Sequence, residues 1–187
     1  MKTGLSFPKL YADFVARLRV PTGFILVAAF AWFARPSFPS LALGIPISLA
    51  GLALRAWAAG HLVKNQQLAT GGPYAYIRNP LYAGTLLVAF GLAAAARSIW
   101  LAALFAAFFL LVYLPAVMLE QQHLSNLFPD YAAYAATVPG FIPYRRPQRR
   151  SGRFSPQLYW KNREYEALFA FAAGLAWLIY RALQFAP

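Results

Sequence analysis

The chain reads as an all-α, polytopic integral membrane bundle, and three observations predict this. Hydrophobic residues make up 60% of its 187 residues and charged residues only 12%, against about 25% charged in soluble domains. A soluble protein of this length could not bury so much apolar surface in one core. The apolar residues also gather into five runs, most of them near the ~20 residues that cross a bilayer as helix. Finally, lysines and arginines collect between those runs, mainly on alternate sides.

The elements follow in order. Within 1–19, Phe7, Leu10, Tyr11, Phe14, Val15 and Leu18 recur at helical spacing, with Lys9, Asp13 and Arg17 on the other side. That pattern predicts an interfacial amphipathic helix. Transmembrane helices are expected at 20–34, 41–60, 80–96, 99–119 and 167–183. Pro21 suits the first position of the first span. Arg35-Pro36-Ser37 ends it. Only Arg97-Ser98 separates the third span from the fourth, so these two form an antiparallel hairpin. The polar segments 61–79 and 120–166 complete a single membrane domain and hold the candidate site.

The net charge of +12 is a topology signal rather than a nucleic-acid footprint, because the cations flank apolar runs. Lys2, Lys9, Arg17 and Arg19 precede the first span. Lys64 and Arg78 lie between the second and third. Arg145, Arg146, Arg149, Arg150, Arg153, Lys161 and Arg163 lie between the fourth and fifth. The opposite side carries Arg35, Arg97 and Arg181. A cytoplasmic N-terminus and an external C-terminus follow, with a bacterial inner membrane as the expected location. Tyr144–Ser155, rich in Arg and Pro, reads as an interfacial linker in contact with lipid. The chain has no cysteine and two histidines, so no disulfide, thiolate site or His-rich metal site is expected.

Two polar segments hold more than an anchor needs. In the first, Gly71-Gly72-Pro73 marks a turn. Asn79 is steered away from helix by Pro80 and can cap the next helix, with Pro80 at its first position. Arg78 thus stands just ahead of a helix N-terminus, where free N–H groups and the dipole attract anions. In the second segment, Glu120 follows directly on an apolar helix. A carboxylate at that depth is costly unless paired, and marks a functional site. About 17 residues of helix rise ~25 Å, so the hairpin returns Glu120 to the level of Pro80–Tyr82. An Arg78–Glu120 pair is geometrically open.

Simpler roles stand beside these. Tyr74, Tyr76, Tyr131 and Tyr134 also fit an aromatic belt. Gly44, Gly51, Gly84 and Gly91 fit close helix packing better than ligand contact. His61 fits an interfacial hydrogen-bonder better than a catalyst. Arg55, a charge inside an apolar span, either snorkels to the edge or faces the pocket.

Taken in order, Leu68, Gly72-Pro73-Tyr74, Arg78, Pro80, Tyr82, Gly84, Glu120, Phe128, Tyr131, Tyr134 and Val138-Pro139 resemble the isoprenylcysteine carboxyl methyltransferase and phospholipid methyltransferase superfamily. The resemblance covers about 50–143. It implies a helical membrane enzyme that takes S-adenosylmethionine and methylates an amphiphilic, lipid or prenylated acceptor entering from the bilayer. By that resemblance the cofactor contacts are Gln66, Leu68, Gly72, Pro73, Tyr74, Arg78, Asn79, Tyr82, Glu120 and Gln121, and the catalytic candidates are Arg78, Tyr82 and Glu120. Three positions depart from the family pattern. Gln66 stands for a common His, Asn79 for the His of Arg-His-Pro, and Gln121 for the second Glu of a pair. Asn and Gln still hydrogen-bond.

A soluble-type methyltransferase does not fit, since no strand leads into a Gly-rich turn. Two other classes remain open on sequence: a membrane reductase of sterol-like substrates using NADPH, and a non-catalytic relative of the methyltransferases. The acceptor and the oligomeric state are not encoded legibly.

Overall fold

The computed structural model describes residues 9–144 and 152–185. The start of the expected interfacial helix, residues 1–8, and most of the Arg-rich tract, 145–151, lie outside the described residues. The described chain is all helix and connecting loop, with no strand.

The helices are α1 Lys9–Phe33, α2 Phe38–Ala59, α3 Pro80–Ala96, α4 Ile99–Phe108, α5 Leu114–Leu127, α6 Tyr131–Thr137, α7 Pro156–Lys161 and α8 Tyr165–Gln184. All five apolar runs are helical. Three helices are long and apolar enough to cross a membrane: Phe38–Ala59, Ile99–Leu127 and Tyr165–Gln184. The apolar part of α1, Thr22–Phe33, and α3 are shorter. Large apolar side chains on α1 and α4 point outward, with Phe24 71% and Trp100 74% exposed. Such an exterior needs lipid as its solvent.

Two boundaries differ from those the sequence predicts by more than three residues. The interfacial helix and the first span are one continuous α1 that runs through Pro21 instead of starting there. In lipid, the backbone groups a proline frees find other partners, so a helical proline is tolerated. The fourth span does not stop at residue 119: α5 carries it to Leu127. Glu120 therefore sits on a helix with two further turns beyond it.

Pairing of α2 with α3 dominates the bundle. Gly44 and Gly51 of α2 face Gly91 and Gly84 of α3, and a Cβ at Gly51 would lie 2.6 Å from the Gly84 carbonyl oxygen. The backbones can meet only because neither carries a side chain there. Buried Ser48 donates to the Val88 carbonyl at 3.2 Å, and Ser40 donates to that of Ala95 at 2.8 Å. A separate apolar cluster of Ala34, Leu41, Ala95, Ala96, Leu101, Leu178 and Ala182 ties α1, α2, α3, α4 and α8 at the opposite end from the site.

Between α4 and α5 the rod passes through a π-helical turn, Phe109–Tyr113. Pro115 has no N–H to give the Leu111 carbonyl four residues back. The Tyr11 hydroxyl of α1 donates to that carbonyl instead, at 3.0 Å. Proline and π-turn together break the regular α-helical bonding here, and Tyr113 packs edge-on against Tyr82 of α3 at 5.7 Å between centroids.

Candidate functional site

The first polar segment is shaped by a short 3-10 turn, Gly72–Ala75. Gly72 has φ +56°, and a Cβ there would also meet the His61 ring at 2.6 Å, so only glycine fits. Tyr74 is buried within this turn, and the Tyr134 hydroxyl donates to its carbonyl at 2.8 Å. The next residues are strapped to the loop after α6. Arg78 N–H donates to the Pro139 carbonyl at 2.8 Å, and Asn79 N–H to that of Gly140 at 3.1 Å.

Asn79 occupies the cap position of α3, but its side chain does not cap. Its Nδ2 donates to the Gly140 carbonyl at 3.1 Å. The cap reading of Asn79 is corrected accordingly: two donors of one residue converge on one carbonyl and leave the helix terminus open.

One recess gathers most of the sequence-derived site: Leu68, Tyr74, Arg78, Asn79, Tyr82 and Glu120 all line it. The Tyr82 hydroxyl donates to Glu120 Oε2 at 2.7 Å. Arg78 turns toward Tyr131 rather than forming the ion pair with Glu120 that the hairpin leaves open, and no such pair occurs among the described residues. Arg78 Nε and the Tyr131 hydroxyl are both buried without a hydrogen-bond partner. Buried polar atoms are nearly always satisfied; these two side chains lie beside each other, and both keep bonding capacity on the lining of the recess. Burial pushes the Tyr74 phenol well up, and the Glu120 charge adds to this. Burial likewise raises Tyr131, with the Arg78 guanidinium pulling the other way.

Four expected residues do not line this recess. Gln66 faces a neighbouring one, with Lys64, Lys161 and Asn162. Gly72 and Pro73 shape the turn beneath Tyr74. Gln121 follows Glu120 on α5 but is not part of the lining.

Other residues enter that the chemical reading left out. Phe128, Tyr131 and Tyr134 line the recess with Leu124; the three-residue spacing of Tyr131 and Tyr134 on α6 is the signal that marks one face, while Phe128 is the extended residue that ends α5. Arg55 neither snorkels nor faces the pocket. It pairs with Glu164, Nε to Oε1 at 2.5 Å and Nη2 to Oε2 at 3.0 Å, and also holds the Thr85 hydroxyl. Glu164, 7% exposed, fastens the start of α8 to α2 and α3. His61 hydrogen-bonds the Trp57 and Gly152 carbonyls, a structural placement.

Residues 41–131, the stretch that builds the α2–α3 pair and most of the recess, match the phospholipid methyltransferase family. That family is part of the integral membrane methyltransferase superfamily, and this stretch is similar to it. Two curated relatives that match over about the same length carry names of another kind. The cobalt-zinc-cadmium resistance protein CzcN of Cupriavidus metallidurans is 37% identical over 103 residues, 54% of this chain and 46% of its own. The nickel-cobalt-cadmium resistance protein NccN of Alcaligenes xylosoxydans xylosoxydans is 39% identical over 104 residues, 54% of this chain and 47% of its own. The chain thus spans about half the length of the curated relatives it matches. No solved structure matches it.

Proposed function

We propose that the protein is a membrane methyltransferase that uses S-adenosylmethionine to methylate an amphiphilic or lipid-like acceptor. What carries this reading is the recess itself, formed within and just beyond the family-matched stretch, with the unpartnered Arg78 Nε and Tyr131 hydroxyl on one wall and Glu120 on another. S-adenosylmethionine, when bound, supplies a methyl group activated by a sulfonium. A zwitterion of that kind calls for both a cationic and an anionic partner, and the recess offers both.

In this reading Arg78 and Tyr131 hold a carboxylate, and Glu120 holds an ammonium or ribose hydroxyls. Tyr82 fixes the Glu120 carboxylate by occupying one oxygen. Tyr74, Leu124 and Phe128 exclude water. Proximity and alignment then supply most of the acceleration. A carboxylate acceptor needs no base at neutral pH. An amine acceptor must lose a proton, and Glu120 stands where it can take one.

Calorimetry in detergent with S-adenosylhomocysteine tests the cofactor assignment, with NADPH as the competing ligand. Lipid profiles of cells with and without the protein test the acceptor class. Binding of NADPH and not S-adenosylhomocysteine would replace this reading with that of a reductase; binding of neither would leave a non-catalytic relative. The names of the two relatives favour a second reading, a role in tolerance to divalent metals. Among the described residues no cluster of His, Asp or Glu could hold a metal ion, so that role would run through methyl transfer rather than metal carriage. Rescue of cobalt or cadmium tolerance by wild type but not by Glu120→Ala would join the two readings.

A further inference from the structure

A second recess lies beside the first and is lined by Lys64, Gln66, Lys161 and Asn162 over a floor of Leu62 and Leu158. Its frame is fixed. Asn162 Nδ2 donates to the Ala59 and Leu62 carbonyls, each at 2.9 Å. Ser155 N–H donates to the Gly60 carbonyl at 2.9 Å. These bonds lash α7 to the end of α2 and hold the two lysines toward one opening.

The charges there are uncompensated. The nearby acids are already used: Glu164 by Arg55 and Glu166 by Arg163. Among the described residues neither Lys64 nor Lys161 forms an ion pair. Both lie at the ends of membrane helices, Lys64 five residues past α2 and Lys161 four before α8. That is headgroup depth. Trp160, beside Lys161 on α7, is 62% exposed, as an interfacial anchor is. The linker adds Arg145, Arg146, Arg149, Arg150 and Arg153 in sequence, which raises the local concentration of anionic lipid.

We infer that this recess binds the phosphate of an anionic phospholipid headgroup, with Lys64 and Lys161 as its two cationic contacts and Gln66 as a neutral donor. The two recesses share Leu62, Val63 and Lys64, whereas Lys161 and Asn162 line the second and not the first; lipid binding there does not depend on methyl transfer and would exist in a non-catalytic relative as well. Its occupant comes from the bilayer, because the recess lies at the ends of membrane helices, next to exposed Trp160.

The test is native mass spectrometry of the full chain in detergent, titrated with dioleoyl phosphatidylglycerol, dioleoyl phosphatidylcholine or inorganic phosphate. One saturable phosphatidylglycerol site is expected, with no matching site for phosphatidylcholine. Lys64→Gln/Lys161→Gln should weaken it about 30-fold, from two surface charges. The single Lys161→Gln should weaken it about fivefold, and serves if the double variant does not fold. Lys64→Arg/Lys161→Arg should keep the site. Unchanged affinity in the glutamine variants would overturn the inference. So would loss in Arg145→Gln/Arg146→Gln/Arg149→Gln/Arg150→Gln instead, or displacement of the lipid by inorganic phosphate at equal concentration.

Discussion

The Tyr82 hydroxyl meets the Glu120 carboxylate at 2.7 Å, across the helices that flank the Arg97-Ser98 turn. One carboxylate oxygen is held while the other stays open to the recess. Charge-assisted hydrogen bonds contribute roughly 1.5–3 kcal/mol each. Glu120→Ala should therefore weaken S-adenosylhomocysteine binding roughly 10- to 150-fold, measured by calorimetry in detergent. Tyr82→Phe frees the carboxylate to rotate, so its effect should be smaller and fall mainly on kcat. Equal affinity in wild type and Glu120→Ala, both folded, would place the cofactor elsewhere.

The glycine seam between α2 and α3 predicts an asymmetric response to added methyl groups. At Gly91 a Cβ would meet Ser48 Oγ and two backbone atoms, the Gly44 carbonyl oxygen and the Ser48 nitrogen, which cannot swing aside. Gly91→Ala should lower stability by about 1–3 kcal/mol through overpacking. At Gly174 of α8 a Cβ meets nothing within 4 Å, so Gly174→Ala should be neutral or stabilising by up to about 1 kcal/mol. Thermal unfolding in detergent compares the two. A tolerated Gly91→Ala would mean the helices sit further apart.

The close packing at the seam glycines and the common level of Tyr82 and Glu120 are legible in the sequence, because each follows from counting; the contact itself is not, since the same count leaves Arg78 open to Glu120. Glycines at 44, 51, 84 and 91 are seven apart on two adjacent helices, and a two-residue turn forces Tyr82 and Glu120 to one level. What was not legible depends on partners far along the chain. Asn79 has every local mark of a helix cap, yet Gly140, 61 residues on, takes its side chain. Arg55 gives no local sign that its partner is Glu164, 109 residues away. Tyr131 looks like any interfacial tyrosine until burial beside Arg78 leaves its hydroxyl without a partner. The continuity of α1 through Pro21 has the same cause: a local helix-start signal yields where lipid and neighbouring helices satisfy the backbone.

The Arg55–Glu164 pair should reveal itself by how it fails. Removing one partner strands the other, at a cost of about 3–5 kcal/mol for a buried pair. Arg55 is partly exposed, so Glu164→Ala should fall at the lower end, about 3 kcal/mol. Arg55→Met/Glu164→Leu removes both charges and should recover most of that loss. Unfolding midpoints of the two variants decide the matter, and a double variant as unstable as Glu164→Ala would show that packing, not charge, sets the cost.

Tyr131 separates stability from function. Its hydroxyl is buried and unpartnered, so it costs folding energy that a ligand contact would offset. Tyr131→Phe should leave the ligand-free protein as stable as wild type or more stable by about 1 kcal/mol, yet bind S-adenosylhomocysteine roughly fivefold more weakly for one lost hydrogen bond. Alkaline pH gives a second readout. The folded Tyr131 and Tyr74 phenols titrate above the ordinary value of 10.0, while the unfolded chain titrates at about 10. Their contribution to stability is therefore full below pH ~10 and is lost as pH rises from there toward the folded values. Tyr131→Phe cannot ionise, so its stability should fall less steeply above pH ~10 than that of wild type, and the two proteins should run parallel from pH ~6 to ~9. Unfolding in detergent followed across that range checks the slope. A variant that loses stability and keeps its affinity would assign the Tyr131 hydroxyl to the fold and remove it from the site.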